Sequence, residues 1–302
     1  MQVVMQTALP GLAKPVRDEV RDIYDLQQKK QLIVYTDRMA VSGRILKKPI
    51  PYRGIMFTQI SLYWISKFTH LVGHNLVAQA VQRFPQEFQS QAALLKGRSV
   101  IVQQLRDLPL KFRVVGNLAG ADWSSYQKNR MVGGKTLRIG LRESDRLETP
   151  ILIVTPTGDM SRQRIDDIEK WARRMYGQML YKDLVDISLA IFGVARNYAA
   201  KRGLIIADSA FEFAVHEGNP YIINNVLNPE TTTYWSKETF KPGQTQPSFD
   251  RQPLQDWLAA QGWDSSQPLP EIPKEIISET SRRYREIFNI MTGKVALPDK
   301  DE

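Results

Sequence analysis

The chain contains no cysteine and only three histidines. The first absence excludes disulfides, thiolate nucleophiles and cysteine–zinc sites. The second leaves His70, His74 and His216 as the whole supply of imidazole. His70 and His74 share the four-residue spacing of one helix face, but no acidic third ligand accompanies them, so no metal site is expected. No apolar run approaches the roughly 20 residues that cross a bilayer. The opening MQVVMQTALPGLAKPVRDE lacks a basic start followed by an apolar core. Neither a signal peptide nor a membrane partner is therefore expected, and a cytoplasmic location is the default. There is no internal repeat and no low-complexity block. Gly133-Gly134 lacks the GxxxxGK[ST] framework of a phosphate loop and reads as a turn.

What is present is ordinary for a globular protein: 302 residues, 42% hydrophobic and 24% charged, enough for one or two cores. The net charge is +9. Its cations are spread and interrupted by acids, as in Arg142-Glu143-Ser144-Asp145-Arg146, with no basic run interleaved with aromatics. That pattern does not suit a nucleic-acid groove. A phosphorylated small molecule accounts for part of the charge more simply.

Apolar periodicity predicts a strand over Gln31–Thr36 and a helix over Phe57–Phe68, with Ile60, Trp64 and Phe68 on one face. Strands are expected at Ser99–Leu105 and Lys111–Val115, either side of Asp107-Leu108-Pro109, and at Thr149–Thr155. A short helix follows Gly120, a long one covers Gln163–Arg202 up to a stop at Gly203, and a last one covers Pro273–Met291. Residues 1–19 read as a loosely packed arm. The class is α+β, divided near Leu105–Pro109 into a β-rich lobe, 1–107, and an α+β lobe, 108–302.

The most informative stretch runs from Gly203 to Trp235: a buried strand, a polar break, then an alternating hairpin. Phe211, Phe213 and Val215 are expected on one face, with Glu212, Ala214 and His216 on the other. Gly218, Asn219 and Pro220 read as the turn. Folding about it brings Glu212 close to Asn224 and Asn225. This stretch resembles the SAICAR synthetase family, whose pattern runs roughly GIILADTKFEFG, a turn, then LIDEVLTPDSSRFW. The likeness extends over nearly the whole chain. Val20-Arg21-Asp22-Ile23-Tyr24-Asp25 is similar to GKVRDIYD, Tyr35-Thr36-Asp37-Arg38 to ATDR, and Lys96-Gly97-Arg98-Ser99 to a (D/G)RS strand start. Gly140–Ser144 is similar to GLKES, and Gln246–Gln252 with Asp256-Trp257-Leu258 to QPSFDKQFxRDWL.

The resemblance implies a two-lobe fold with a nucleotide cleft between the lobes. It also implies an ATP-driven ligase with magnesium and a phosphorylated ribonucleotide as ligands. Departures fall on the charged positions. Glu19 stands where the family has a lysine, Ala210 replaces the lysine of DTKFEFG, and Val115 the arginine of VRGY, with Arg113 nearby. Asn224-Asn225 replaces an acidic pair and Thr233 an arginine. Thr157-Gly158-Asp159 lacks a lysine, Ala40–Gly43 lacks an acid, and the acidic DENIS loop has no counterpart around Arg164–Ile168.

Magnesium is usually held by one or two carboxylates plus substrate phosphates. The loss of so many charges leads to the expectation of a diverged paralogue that uses no cofactor. Its expected reaction is ATP-independent formation of a 1,3-diazepine ring on an aminoimidazole carboxamide nucleotide, in biosynthesis of purine-like nucleoside antibiotics of the coformycin and pentostatin type. An ATP- and magnesium-dependent ligase and a non-catalytic nucleotide-binding protein are the alternatives, and homo-oligomer formation is left open. The candidate proton carriers are Glu212, Asp208 and His216. The candidate substrate contacts are Asp37, Arg38, Arg98, Ser99, Arg113, Asn224, Asn225, Asp250 and Arg251, with no metal ligand assigned. Asn117 and Asp122 mark positions where a substrate pocket is reshaped.

Overall fold

The structure is a computed structural model that describes residues 2–162 and 167–294. In chain order the strands are β1 (Val16–Arg17), β2 (Arg21–Leu26), β3 (Lys30–Tyr35), β4 (Ala40–Val41), β5 (Arg44–Ile45), β6 (Gly73–His74), β7 (Leu76–Ala78) and β8 (Ser99–Gln103). They continue with β9 (Arg106–Asn117), β10 (Met131–Val132), β11 (Lys135–Thr136), β12 (Arg146–Pro156), β13 (Leu204–His216), β14 (Asn219–Ile223) and β15 (Thr232–Ser236). The helices are α1 (Arg53–Phe68), α2 (Gln86–Gln89), α3 (Ala92–Leu95), α4 (Gly120–Asn129), α5 (Ile168–Tyr176), α6 (Gln178–Ala200), α7 (Gln252–Ala260) and α8 (Lys274–Thr292). Among the described residues no helix is long and apolar enough to cross a membrane.

The chain forms two compact units: Met1–Tyr63 with Asn75–Gln104 and Phe249–Glu302, and Trp64–His74 with Leu105–Ser248. The sequence boundary at 107/108 lies close to the division at 104/105. The C-terminal part, expected with the second lobe, instead belongs to the first unit. Its α8 stands edge-on to α1 through Tyr284 and Phe57, 4.7 Å between ring centres, and Ser281 donates to the Pro51 carbonyl at 2.8 Å.

The first unit is built on an antiparallel sheet ordered β1-β2-β3-β8-β7. The run Leu32-Ile33-Val34-Tyr35 is buried on both faces. Leu32 and Val34 pack with Tyr24, Phe84, Phe88 and Ile101, while Ile33 and Tyr35 pack with Val100 and Val102. This explains a continuous apolar run where a one-sided strand would alternate. Residue 54 must be glycine: a Cβ there would lie 2.3 Å from the Tyr35 carbonyl oxygen.

A set of buried charges holds this unit together. Asp37 is fully buried and accepts from the backbone amides of Val4 (2.8 Å) and Gly54 (3.1 Å) and from Arg98 Nη1 (3.1 Å). Arg98 also donates to the Gln2 and Tyr35 carbonyls. Arg38 pairs with Asp22 at 2.8 Å and donates to the carbonyls of Met5, Asp18 and Arg21. Asp22 in turn accepts from the Thr7 amide and hydroxyl. The expectation of a loose N-terminal arm is therefore wrong. Val4, Thr7 and Leu9 are buried, and the segment's backbone satisfies the carboxylates of Asp22 and Asp37. The apolar pattern is too short to signal this, because the anchoring is polar.

The second unit has a sheet ordered β12-β9-β13-β14-β6, with β15 also paired to β13. Two expectations change here. The strand β9 runs unbroken through Pro109, which falls in the irregular stretch between the pairs Glu212↔Lys111 and Ala214↔Asp107. A proline lacks only a donor, and an irregular stretch does not ask for it. Strand β13 is likewise one strand of 13 residues without a break at Asp208-Ser209. Its hairpin turn is Glu217-Gly218, between the paired His216 and Asn219. Both turn residues have positive φ (50° and 78°), as a two-residue hairpin loop requires.

Helix α6 covers one face of this sheet. Tyr181 meets Phe112 at 6.4 Å between ring centres, and Gly116 leaves room for Phe192, whose ring would be 2.7 Å from any Cβ there. The long helix expected over Gln163–Arg202 is two helices among the described residues, separated at Gly177 with φ 88°. Residues 163–166, and with them most of the stretch compared with the acidic loop, lie outside the described residues. His70 follows the end of α1 and His74 lies in β6, so the two do not share a helix face. Gly133-Gly134 forms the turn between β10 and β11.

Two outcomes follow for stability. Asp37→Ala strands the Arg98 guanidinium and two buried amides, and should cost at least about 3 kcal/mol in urea unfolding. On α8, hydrogen bonds from Arg282 and Arg283 outweigh burial and hold the Glu279 carboxyl down from its ordinary 4.5 to about 2. A depressed carboxylate contributes stability above its unfolded pKa and loses it as the pH falls through the folded value. Stability should therefore decline between about pH 4.5 and 2, and Glu279→Gln should remove that part of the acid limb.

Candidate functional site

The pairing of β9 with β13 decides which side chains meet. Phe112 lies opposite Phe211 and Val114 opposite Ser209, on the face covered by α6. The alternate residues point to the other face. There Lys111 is opposite Glu212, Arg113 opposite Ala210, and Val115 opposite Asp208. One strand pair thus collects Lys111, Arg113, Asp208 and Glu212 on a single polar face.

Arg113 is the centre of one cluster. Its two terminal nitrogens bond both oxygens of Asp122, on α4, at 2.8 Å each, and Nη1 also bonds Asp208 at 2.9 Å. Asp122 is 13% exposed and Asp208 24%. Burial alone would lower the Arg113 pKa, but its bonds and charge interactions with Asp122, and then Asp208, raise it above the ordinary arginine value. The second cluster is Glu212, with Lys111 Nζ 3.2 Å from Oε1 and the Asn224 amide donating to Oε2 at 2.9 Å. Asn224 reaches back because its backbone is left-handed, φ 60°, a conformation asparagine tolerates. Asn225 turns elsewhere: its Oδ1 accepts from Asn228 at 2.9 Å and its carbonyl from Thr231.

These two clusters join four of the expected site residues, Glu212, Asp208, Arg113 and Asn224, and add Asp122 and Lys111. Asp122 was expected, with Asn117, to mark a reshaped substrate pocket, without a partner assigned. Lys111 was noted only as the start of a strand. The alternation Lys111-Phe112-Arg113 against Glu212 was the available signal, but it needed the strand register.

The other candidates lie apart. His216 is exposed at the hairpin end, edge-on to Tyr221, four residues along β13 from Glu212. That is about 13 Å, too far for direct proton exchange. Asp37, Arg38, Arg98 and Ser99 are 0–3% exposed and bonded internally; the Ser99 hydroxyl donates to the Leu95 carbonyl. A ligand would have to break those bonds to reach them. Asn117 is also internal and donates to the Ser144 carbonyl at 3.0 Å. Asp250 accepts from the Gln252 amide at the start of α7, and Arg251 has one long bond, 3.4 Å, to the Ala40 carbonyl.

Whether the polar face fits a protein-held divalent cation can be judged from its donors. Both oxygens of Glu212 face donors, an ammonium and an amide N–H. Asp122 and Asp208 share a guanidinium. Among the described residues no three of histidine, aspartate and glutamate are grouped to hold a metal. The donor set does not fit.

A family model described as SAICAR synthetase matches residues 16–270. A phosphoribosylaminoimidazole-succinocarboxamide synthase of Pelobacter propionicus is 37% identical over 96% of this chain and 98% of its own length. One from Geotalea uraniireducens is 36% identical over 97% and 99%. Among solved structures, a SAICAR synthase from Saccharomyces cerevisiae complexed with SAICAR superposes with TM-score 0.84 and 28% identity, covering 98% of this chain and all of that one. A SAICAR synthetase in complex with ADP has TM-score 0.67 and 17% identity over 94% of this chain.

These findings correct the functional expectation. Full-length relatives at 36–37% identity carry the synthase name, so ATP-independent ring formation, the coformycin and pentostatin assignment, and the absence of a cofactor are set aside. The physical error lay in counting charges along the chain. Ala210 removes a cation from β13, but Arg113 stands directly opposite on β9 and Lys111 beside it. The face is recharged from the neighbouring strand. With a family match over most of its length and relatives of this similarity, the chain belongs to the SAICAR synthetase family of C–N ligases.

Proposed function

We propose that this enzyme joins the carboxylate of an aminoimidazole ribonucleotide to the amine of aspartate, using ATP, to give a succinocarboxamide. The observation that carries the proposal is the 37% identity over nearly the whole of a chain named for that product. ATP, when bound, supplies the phosphoryl group that turns a carboxylate into an acyl donor. The chain's own part is to receive the amine and take its proton. On the polar face of β9 and β13, two cations stand against three carboxylates, Asp122, Asp208 and Glu212, leaving net negative charge. Glu212 is the proposed proton acceptor, because its carboxylate is 30% exposed and oriented by Lys111 and Asn224. Asp208 is held by Arg113 and helps set the charge of the face. A cytoplasmic location accompanies this assignment.

The test supplies ATP, magnesium, aspartate and the aminoimidazole carboxylate nucleotide, and follows ADP and the succinocarboxamide by mass spectrometry. Stoichiometric formation of both is expected. Nucleotide binding with no ADP released would replace the ligase with a non-catalytic binding protein. In the same assay Glu212→Gln should lower kcat roughly 10²–10⁴-fold, the range for loss of a proton-transfer group. Unchanged turnover would remove Glu212 from the mechanism.

A further inference from the structure

The strand β9 places a lysine and an arginine, two residues apart, against carboxylates from three directions. Resemblance to the family implies magnesium as a ligand, yet the carboxylate of Glu212 is already compensated. Lys111 Nζ lies 3.2 Å from Oε1, and the other oxygen accepts from a neutral amide. We infer that Lys111 takes the place of a protein-held divalent cation at Glu212, so that any magnesium in the reaction is held by the nucleotide's phosphates and not by this strand pair.

Three features support this. The ammonium sits at ion-pair distance from the carboxylate a metal would need, and a cation approaching that oxygen meets like charge at close range. Asn224 presents its N–H₂ to Glu212, so the residue that would complete a metal site acts as a donor toward the carboxylate. A fixed cation also stands one pair along the strands, where Arg113 bridges Asp122 and Asp208. The register makes both possible, because Lys111 faces Glu212 directly. A lysine here also has a different consequence from a metal. It cannot be removed by a chelator, and it meets oxygens through N–H donors and not through open coordination positions.

The inference concerns the site on which the ligase proposal rests, but it is read from metal binding without turnover, so the two can fail separately. Mn²⁺ is titrated into nucleotide-free protein and the free ion is followed by electron paramagnetic resonance. Wild type and Glu212→Gln should titrate alike. Lys111→Met, which keeps the side chain's length and removes its charge, should bind Mn²⁺ at least about tenfold more tightly than wild type. Adding Glu212→Gln to that variant should abolish the gain. A wild-type Mn²⁺ site that disappears in Glu212→Gln would overturn the inference. So would a Lys111→Met protein with native circular dichroism and melting that binds Mn²⁺ no better than wild type. If Lys111→Met does not fold, the comparison of wild type with Glu212→Gln still decides.

Discussion

The register between β9 and β13 is the constraint on which the functional half of this molecule depends. Because side chains alternate along each strand, one choice of pairing sends Phe112, Val114, Ser209 and Phe211 toward α6 and leaves Lys111, Arg113, Asp208 and Glu212 together on the opposite side. A slip of one residue would bury the charges and expose the phenylalanines. The aromatic contacts of Phe112 with Tyr181 and Phe213 therefore specify the chemistry of the polar face without touching it. Core packing and site geometry are two readings of the same pairing.

That coupling explains how the chain can differ from its family's pattern at charged positions and still belong to the family. A cation missing at Ala210 has a counterpart at Arg113 across the ladder, about 5 Å away at backbone level. At Asn224, where the family pattern has an acid, the side-chain amide donates to Glu212, whose other oxygen faces Lys111. The same accounting shows why electrostatic arguments made along a sequence overstate a loss when the neighbours lie on another strand.

Much of the fold was legible. The apolar run at Leu32–Tyr35, the helix ending at Phe68, the helix after Pro273 and the glycine turn at 133–134 follow from local pattern and stand in the structure. What escaped was non-local. Pro109 argued for a break, but an irregular pairing with β13 tolerates it. The N-terminal residues carry little apolar signal, yet Asp22 and Asp37 hold them in place. Arg98 and Arg38 had the chemistry of phosphate contacts but are spent on carbonyls and carboxylates inside the first unit. Glu212 and Asn224 could be brought together from the hairpin alone, whereas Lys111 and Asp122 required knowing which strand and helix lay alongside.

The way the first residues are held has an effect on how the protein is made. The amides of Val4 and Thr7 cap carboxylates that also bind Arg98 and Arg38. The bonds of this segment close only after Asp22 and Asp37 have been made, and those through Arg98 form later still. Loss of Val4 or Thr7 would therefore act as a lesion in the interior and not as a cosmetic change at the surface.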